Sequence, residues 1–188
     1  PRICGKRALG MGSGMGAMEN SDLLRAGLSS GLPLVLDADA LNHMSLHREL
    51  LERLHERVVL TPHPAEMGRL TGLPVEKILA DPIGTAKSYA EKWRCVVLLK
   101  GATTCISDGV QTCLNTTGGP GLSKGGSGDV LTGIITGLLA QGLPPFDAAR
   151  AGAYLLGLSA AEALALLKER ALTAGDVIDA IRASIDRL

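Results

Sequence analysis

Short runs of aliphatic residues, three or four long, alternate along this chain with stretches of helical spacing, and that alternation leaves few folds open. Leu34 to Leu36, Val58 to Leu60 and Val96 to Leu99 contain no polar residue on either face. A strand that is apolar on both faces has to be covered on both, which is the condition of a parallel sheet with helices on each side. Ala8 to Met11 reads as a further buried strand. Helices are expected from about Glu19 to Leu28, Leu46 to His55, Ala65 to Leu70, Ile83 to Trp93, Asp129 to Ala140, Pro145 to Lys168 and Ala174 to Arg187. Thr103 to Ser107 and Val110 to Asn115 form a hairpin, with Asp108-Gly109 as its turn. The 188 residues suit one α/β domain, residues 1–188, with a core of its own.

Charge and composition remove several classes of function. The 19 basic and 19 acidic side chains cancel, so nothing draws the chain to a nucleic acid. Tyr89, Trp93, Phe146 and Tyr154 are all its aromatic residues, too few for a base-stacking platform. A bound nucleotide would be held by backbone and polar groups. The longest uncharged stretch, Val130 to Phe146, carries three glycines and runs into Pro144-Pro145, too broken to span a bilayer. No signal peptide opens the chain, and a cytoplasmic location is expected. Cys4, Cys95, Cys105 and Cys113 form no CxxC pair, and read as small buried hydrophobes in a reducing compartment. Pro1 stands where an initiator methionine would, and the first strand leads at once into glycines, so the chain is expected to start partway through a domain.

The segment with most chemistry is Gly125-Gly126-Ser127-Gly128-Asp129, directly before the apolar helix that starts Val130-Leu131-Thr132. Glycines let backbone approach an anion closely, and the first free amides of a helix point at it with a favourable dipole. Asp129 would repel that anion, but it is suited to take the proton of a hydroxyl undergoing phosphorylation. As an alternative it caps the helix.

Other segments are weaker. Gly12-Ser13-Gly14-Met15-Gly16 links a strand to a helix, either as a plain turn or as a ligand-facing loop. Asp37, Asp39 and Asn42 follow the carboxyl end of a strand, where ligands bind in open α/β sheets. The two carboxylates could hold magnesium water or a substrate hydroxyl, although capping a helix explains one of them equally well. His63 and Glu66 share a helix start, with Glu66 a candidate for Mg²⁺ or substrate, against an ordinary solvent-facing helix end. Lys100, ahead of Gly101-Ala102-Thr103-Thr104, either meets phosphates or closes a strand.

Taken in order, Leu34 to Asn42, Leu60 to Met67 (with its Thr-Pro-His-Pro-Ala-Glu), Leu99 to Thr104 and Gly121 to Gly133 (Gly-Leu-Ser-Lys-Gly-Gly-Ser-Gly-Asp-Val-Leu-Thr-Gly) resemble the NAD(P)H-hydrate dehydratase family over nearly the whole chain. The resemblance implies a ribokinase-like fold, a central mostly parallel sheet flanked by helices, with the N-terminal portion of that fold absent. It implies an enzyme that returns NADH or NADPH hydrate to the parent dinucleotide, with ADP or ATP as phosphoryl donor and Mg²⁺ as cofactor. By position it puts Lys100, Gly101, Ala102, Thr103, Thr104 and Gly128 on the nucleotide. Gly126, Ser127 and Gly128 become the anion hole. Gly14, Gly16, His63 and Asp129 face the hydrate, with Asp129 as the catalytic base, and Glu66 organises the metal. Assembly into a homo-oligomer, and fusion to or cooperation with an NAD(P)H-hydrate epimerase, are further implications. Three positions depart from the family pattern: Gly12 to Gly16 lacks the usual proline, Gly119 replaces an asparagine, and Ala65 a glycine. A small-molecule kinase of the same fold, such as a hydroxyethylthiazole kinase, and a nucleotide-binding module without turnover are the rival readings.

Overall fold

A computed structural model describes residues 5–16, 21–165 and 171–187. At its centre lies a six-stranded sheet in the order β1 (Leu9–Met11), β2 (Leu34–Leu36), β3 (Val58–Leu60), β4 (Val96–Leu99), β5 (Cys105–Ser107) and β6 (Thr112–Leu114). β1 to β4 are parallel, and β5 and β6 extend the sheet antiparallel. Each new parallel strand is added on the same side of the last. Crossovers of one hand therefore leave all their helices on one face. These are α1 (Asp22–Ser29), α2 (Ala38–Leu46), α3 (Pro64–Thr71), α4 (Val75–Ala80) and α5 (Pro82–Trp93). The opposite face is covered after β6 by α6 (Ser127–Ala140), α7 (Pro145–Leu164) and α8 (Ala174–Ile185).

Strand residues divide between two cores with the period of two expected of a pleated strand. Leu34, Leu36, Val58, Leu60, Val97 and Leu99 pack with Leu24, Leu41, Met44 and Met67. Val35, Val59, Val96 and Leu98 pack with Leu131, Ile135, Ala149 and Leu156. α6 and α7 meet closely at Gly152, where a Cβ would stand 2.6 Å from the Ile135 side chain.

The α/β architecture agrees with the sequence reading, but several elements do not. The helix expected over 46–55 is instead α2, ending at Leu46, followed by a 3-10 turn over Arg48–Arg53. Ala40, Leu41 and Met44 supply the buried stripe of α2, whereas Leu50 alone is buried in the 3-10 turn. Nothing in the sequence pattern marks α4, because the six residues after Pro74 carry one buried anchor, Ile78, too little for a helical period. The hairpin does not turn on a two-residue Asp-Gly. Ser107 pairs with Thr112, and Asp108 Oδ1 accepts from the Val110 and Gln111 N–H groups, making a four-residue connection. Of the cysteines, Cys95 and Cys105 are buried, and burial pushes both thiols above their ordinary pKa, as for inert packed cysteines. Cys113 is only half-buried. Cys4, the expected helix residues 19–20 and residues 166–168 of the expected long helix lie outside the described residues. No helix among the described residues is long and apolar enough to cross a membrane.

Candidate functional site

Four parallel strands end on the same edge, and the segments that follow them converge there. β1 runs into the loop 12–16, β2 into Asp37, β3 into Thr61 to His63, and β4 into Lys100. The α6 N-terminus reaches this edge from the opposite face of the sheet, bringing Gly128 against β2 and β4 residues.

The centre is a charged cluster of low exposure. Lys100 Nζ donates to Asp37 Oδ1 at 2.7 Å and lies 3.8 Å from Glu66 Oε2. The Asp37 and Glu66 side chains are 3 % and 5 % exposed, so both carboxylates depend on protein partners rather than water. Asp37 Oδ2 also accepts from the Thr132 hydroxyl at 3.4 Å. The Lys100 backbone is fixed by its N–H, which donates to the Pro62 carbonyl at 2.8 Å. Asp37 occupies the position that caps α2, but its side chain makes no capping bond. It serves Lys100 and Thr132 instead, so the capping alternative does not hold. Asp39 accepts from the Gly16 N–H at 2.8 Å and ties the glycine loop to α2. Asn42 Oδ1 accepts from Arg69 Nε at 2.9 Å, which makes it a link between α2 and α3.

His63 and Glu66 form a reciprocal cap on α3. His63 Nδ1 accepts from the Ala65 and Glu66 N–H groups at 3.1 and 3.3 Å, and Glu66 Oε2 accepts from the His63 N–H at 2.8 Å. With Nδ1 an acceptor, the proton of the neutral ring is on Nε2, which stands 3.3 Å from Glu66 Oε1. Burial lowers the His63 pKa; Glu66 and Asp37 oppose the shift, and Lys100 and Arg69 add to it. The solvent-facing helix end expected as an alternative is therefore wrong for Glu66, which is buried. Each Glu66 oxygen keeps a second lone pair beyond its contact with His63. One such carboxylate fits Mg²⁺ bound mainly through phosphates and water, and among the described residues no group of three or more His, Cys, Asp or Glu forms a denser cage.

α6 begins without a side-chain cap. Gly126 sits before it at φ +93°, where a side chain would be strained and a Cβ would be 3.0 Å from Ala174 Cβ. The first amides of α6 have no intrahelical acceptor, which is the requirement of an anion site, and of them the Ser127 N–H donates to the Lys124 carbonyl at 3.4 Å. Gly128 is placed against the charged cluster, since a Cβ there would lie 3.0 Å from Asp37 Oδ2 and 3.7 Å from Lys100 Nζ. Asp129 is exposed and lines a cavity of about 590 Å³ between α6 and α8, with Val130, Ile134, Leu138 and Ile178. Lys100, Gly101, Ala102 and Thr103 line a second cavity of about 340 Å³, closed by Pro64, Ile78 and Leu99, and Thr104 continues toward β5. Gly14 and Gly16 are at φ +65° and +66° with open space around them. Lys100, Glu66, His63 and Gly128 are thus drawn together; Gly16 is tied to Asp39 at the start of α2, and Asp129 opens to the α6–α8 side.

Residues 6–183 match the family model described as NAD(P)H-hydrate dehydratase. The chain belongs to the NAD(P)H-hydrate dehydratase family. It is 50 % identical over 150 residues to the bifunctional NAD(P)H-hydrate repair enzyme Nnr of Moorella thermoacetica, covering 79 % of this chain and 28 % of that protein. With the ADP-dependent (S)-NAD(P)H-hydrate dehydratase of Neisseria meningitidis it shares 43 % identity over 158 residues, 80 % of this chain and 52 % of the relative. The Bacillus subtilis ADP/ATP-dependent NAD(P)H-hydrate dehydratase, co-crystallised with ATP/Mg²⁺ and soaked with CoA, superposes with a TM-score of 0.85 at 32 % identity over 96 % of this chain and 66 % of that one. The chain therefore spans from about a quarter to about two thirds of the length of these family members.

Proposed function

We propose that this chain carries the phosphoryl-transfer centre of an enzyme that dehydrates NADH or NADPH hydrate at the expense of ADP or ATP. The observation that carries the reading is the uncapped α6 N-terminus, its Gly128 pressed against the Asp37–Lys100 pair, in a member of this family. A free helix N-terminus beside a lysine is a place for a phosphate. Lys100 to Thr104 and Gly128 would hold the nucleotide. The cavity of about 340 Å³ beside Lys100 to Thr103 supports that assignment, its aliphatic wall standing in for the missing aromatic residues. Gly126, Ser127 and Gly128 would form the anion hole, and Gly14, Gly16, His63 and Asp129 would meet the hydrate.

In this mechanism Asp129 takes the proton from the hydroxyl on the hydrated nicotinamide ring as that oxygen attacks the terminal phosphorus. The phosphorus–oxygen bond to the nucleotide breaks, and the amide dipoles of Gly126 to Gly128 stabilise the charge that moves. The ring nitrogen's lone pair then expels phosphate, a far better leaving group than hydroxide. Loss of a ring proton restores the dihydronicotinamide. Mg²⁺ bound with the nucleotide near Glu66 would neutralise phosphate charge. Neutral His63, with Nδ1 committed to the α3 cap, would orient the hydrate and would not act as its base. We further place the enzyme in the cytoplasm as a homo-oligomer, with an NAD(P)H-hydrate epimerase fused or acting alongside.

The deciding experiment incubates the complete gene product with NADH hydrate, Mg²⁺ and either ADP or ATP, and follows the return of dihydronicotinamide absorbance. Nucleotide-dependent recovery is the expected result, and the better donor is read from the same traces. No recovery with either nucleotide sinks the reading. A stable phosphorylated product from hydroxyethylthiazole would then favour the kinase.

A further inference from the structure

The residue that links the parts of this site is Asp37, whose place in the Leu34 to Asn42 segment does not by itself say what its carboxylate serves. Aspartate at a helix N-cap ordinarily accepts from the first turn's N–H groups. Asp37 stands at that position of α2 and makes no such bond. Its oxygens point across the sheet, one to Lys100 Nζ at 2.7 Å and the other to the Thr132 hydroxyl on α6 at 3.4 Å. Thus one carboxylate joins the end of β4 to the first turns of α6.

The backbone of Asp37 is fixed from three directions. Its N–H donates to the Met11 carbonyl at 3.0 Å, its carbonyl accepts from the Ala40 N–H at 3.0 Å, and the Gly12 backbone passes so near that carbonyl that a Cβ there would stand 1.9 Å from its oxygen. Ala38 directly after it is held at φ +44°, a strained value for a residue with a side chain. Strain of this kind persists only where the surroundings impose it. Gly128, without a Cβ, leaves room for the carboxylate against α6.

Lys100 lies between two buried carboxylates, at 2.7 Å from Asp37 and 3.8 Å from Glu66. An ammonium has three donors, and Asp37 takes one of them, so the lysine remains able to meet a ligand. Its side chain is 24 % exposed, enough for a ligand to reach it. We propose that Asp37 is the positioning residue for Lys100: its buried carboxylate keeps the ammonium at the α6 N-terminus, away from Glu66, where a nucleotide phosphate is received. Asp37 touches no substrate in this arrangement and acts through the lysine. The inference rests on the dehydratase reading for the identity of the ligand.

The test is a double-mutant cycle in the complete gene product, with ADP affinity and the kcat and KM of nucleotide-dependent recovery as readouts. Asp37→Asn keeps the shape and the Thr132 contact but loosens Lys100, and Lys100→Met removes the cation. Each is expected to raise the ADP dissociation constant and the nucleotide KM about tenfold, as for loss of one charged hydrogen bond. Because both act on one ammonium, the double variant should be no worse than Lys100→Met. Independent roles would multiply to about a hundredfold. Additivity, or an Asp37→Asn protein that binds ADP normally, overturns the proposal. Should Asp37→Asn not fold, the unsubstituted protein decides it by nitrogen NMR of its lysines. A slowly exchanging ammonium signal, missing in Lys100→Met, supports the pairing, and its absence overturns it. If the unsubstituted protein neither binds ADP nor recovers NADH, the dehydratase reading fails instead.

Discussion

A Cβ atom on Gly12 would stand 1.9 Å from the carbonyl oxygen of Asp37. No relaxation of a flexible side chain can relieve that contact, because both partners are backbone. Gly12 is also at φ +132°, outside the range of residues with side chains. Gly12→Ala is expected to lower stability by about 3 kcal/mol or more, measured as the shift in the urea unfolding midpoint at constant slope. A loss within experimental error would show that the loop can move away from Asp37.

Gly128→Ala should separate stability from function. Within a helix, alanine is favoured over glycine by about 1 kcal/mol. Here its methyl group would be 3.0 Å from Asp37 Oδ2, tighter than an ordinary contact, and in ordinary contact with Lys100 Nζ at 3.7 Å. The two effects oppose each other, so the unfolding midpoint should change little. Nucleotide affinity should fall at least about tenfold, since the methyl occupies the approach to the anion site and crowds the Asp37 carboxylate that holds Lys100. Titration calorimetry with ADP checks this, and unchanged affinity would argue against phosphate binding at Gly128.

Asp129→Asn leaves an exposed position sterically unchanged, so folding should be unaffected. Nucleotide binding should remain within about twofold. Turnover should drop by about 10² to 10⁴, the range for losing a general base. Near-normal turnover in the asparagine protein would remove Asp129 from the base role.

His63 gives the pH dependence a sign. Its folded pKa is below the ordinary 6.5, chiefly through burial, so the unfolded chain binds the proton more readily. The stabilisation is fully present above 6.5 and is lost as pH falls through that value toward the lower folded pKa. Protonation would also break the α3 cap, because a proton on Nδ1 would face the Ala65 and Glu66 N–H groups it now accepts from. His63→Asn keeps a capping oxygen and cannot titrate. Between about pH 7 and about pH 5 the unsubstituted protein should lose more stability than the variant, as followed by chemical denaturation. Parallel loss in both would place the titration elsewhere.

The layers of this protein were legible in its chain, because a strand apolar on both faces can be satisfied only between two layers of helices. Leu34 to Leu36, Val58 to Leu60 and Val96 to Leu99 are buried on both sides as that requires. Helix starts were nearly as readable, since the backbone restrictions of proline and glycine are local: the starts expected near Ala65, Ile83 and Asp129 fall at Pro64, Pro82 and Ser127. Where the signal was short or a residue had two possible uses, reading failed. α4 has one buried anchor, and the turn after Leu46 depends on how Leu50 meets the core.

The site divides in the same way. Asp37, Lys100, Glu66 and Gly128 each stand out in the sequence, but nothing local to Asp37 distinguishes a helix cap from the partner of a lysine 63 residues further on. Folding resolved the ambiguity, because β2 and β4 end on one edge and α6 crosses to meet them. There an unpaired buried carboxylate would be costly. The choice of Lys100 over the nearby amides is an electrostatic consequence of burial, and burial exists only once the two faces of the sheet are covered.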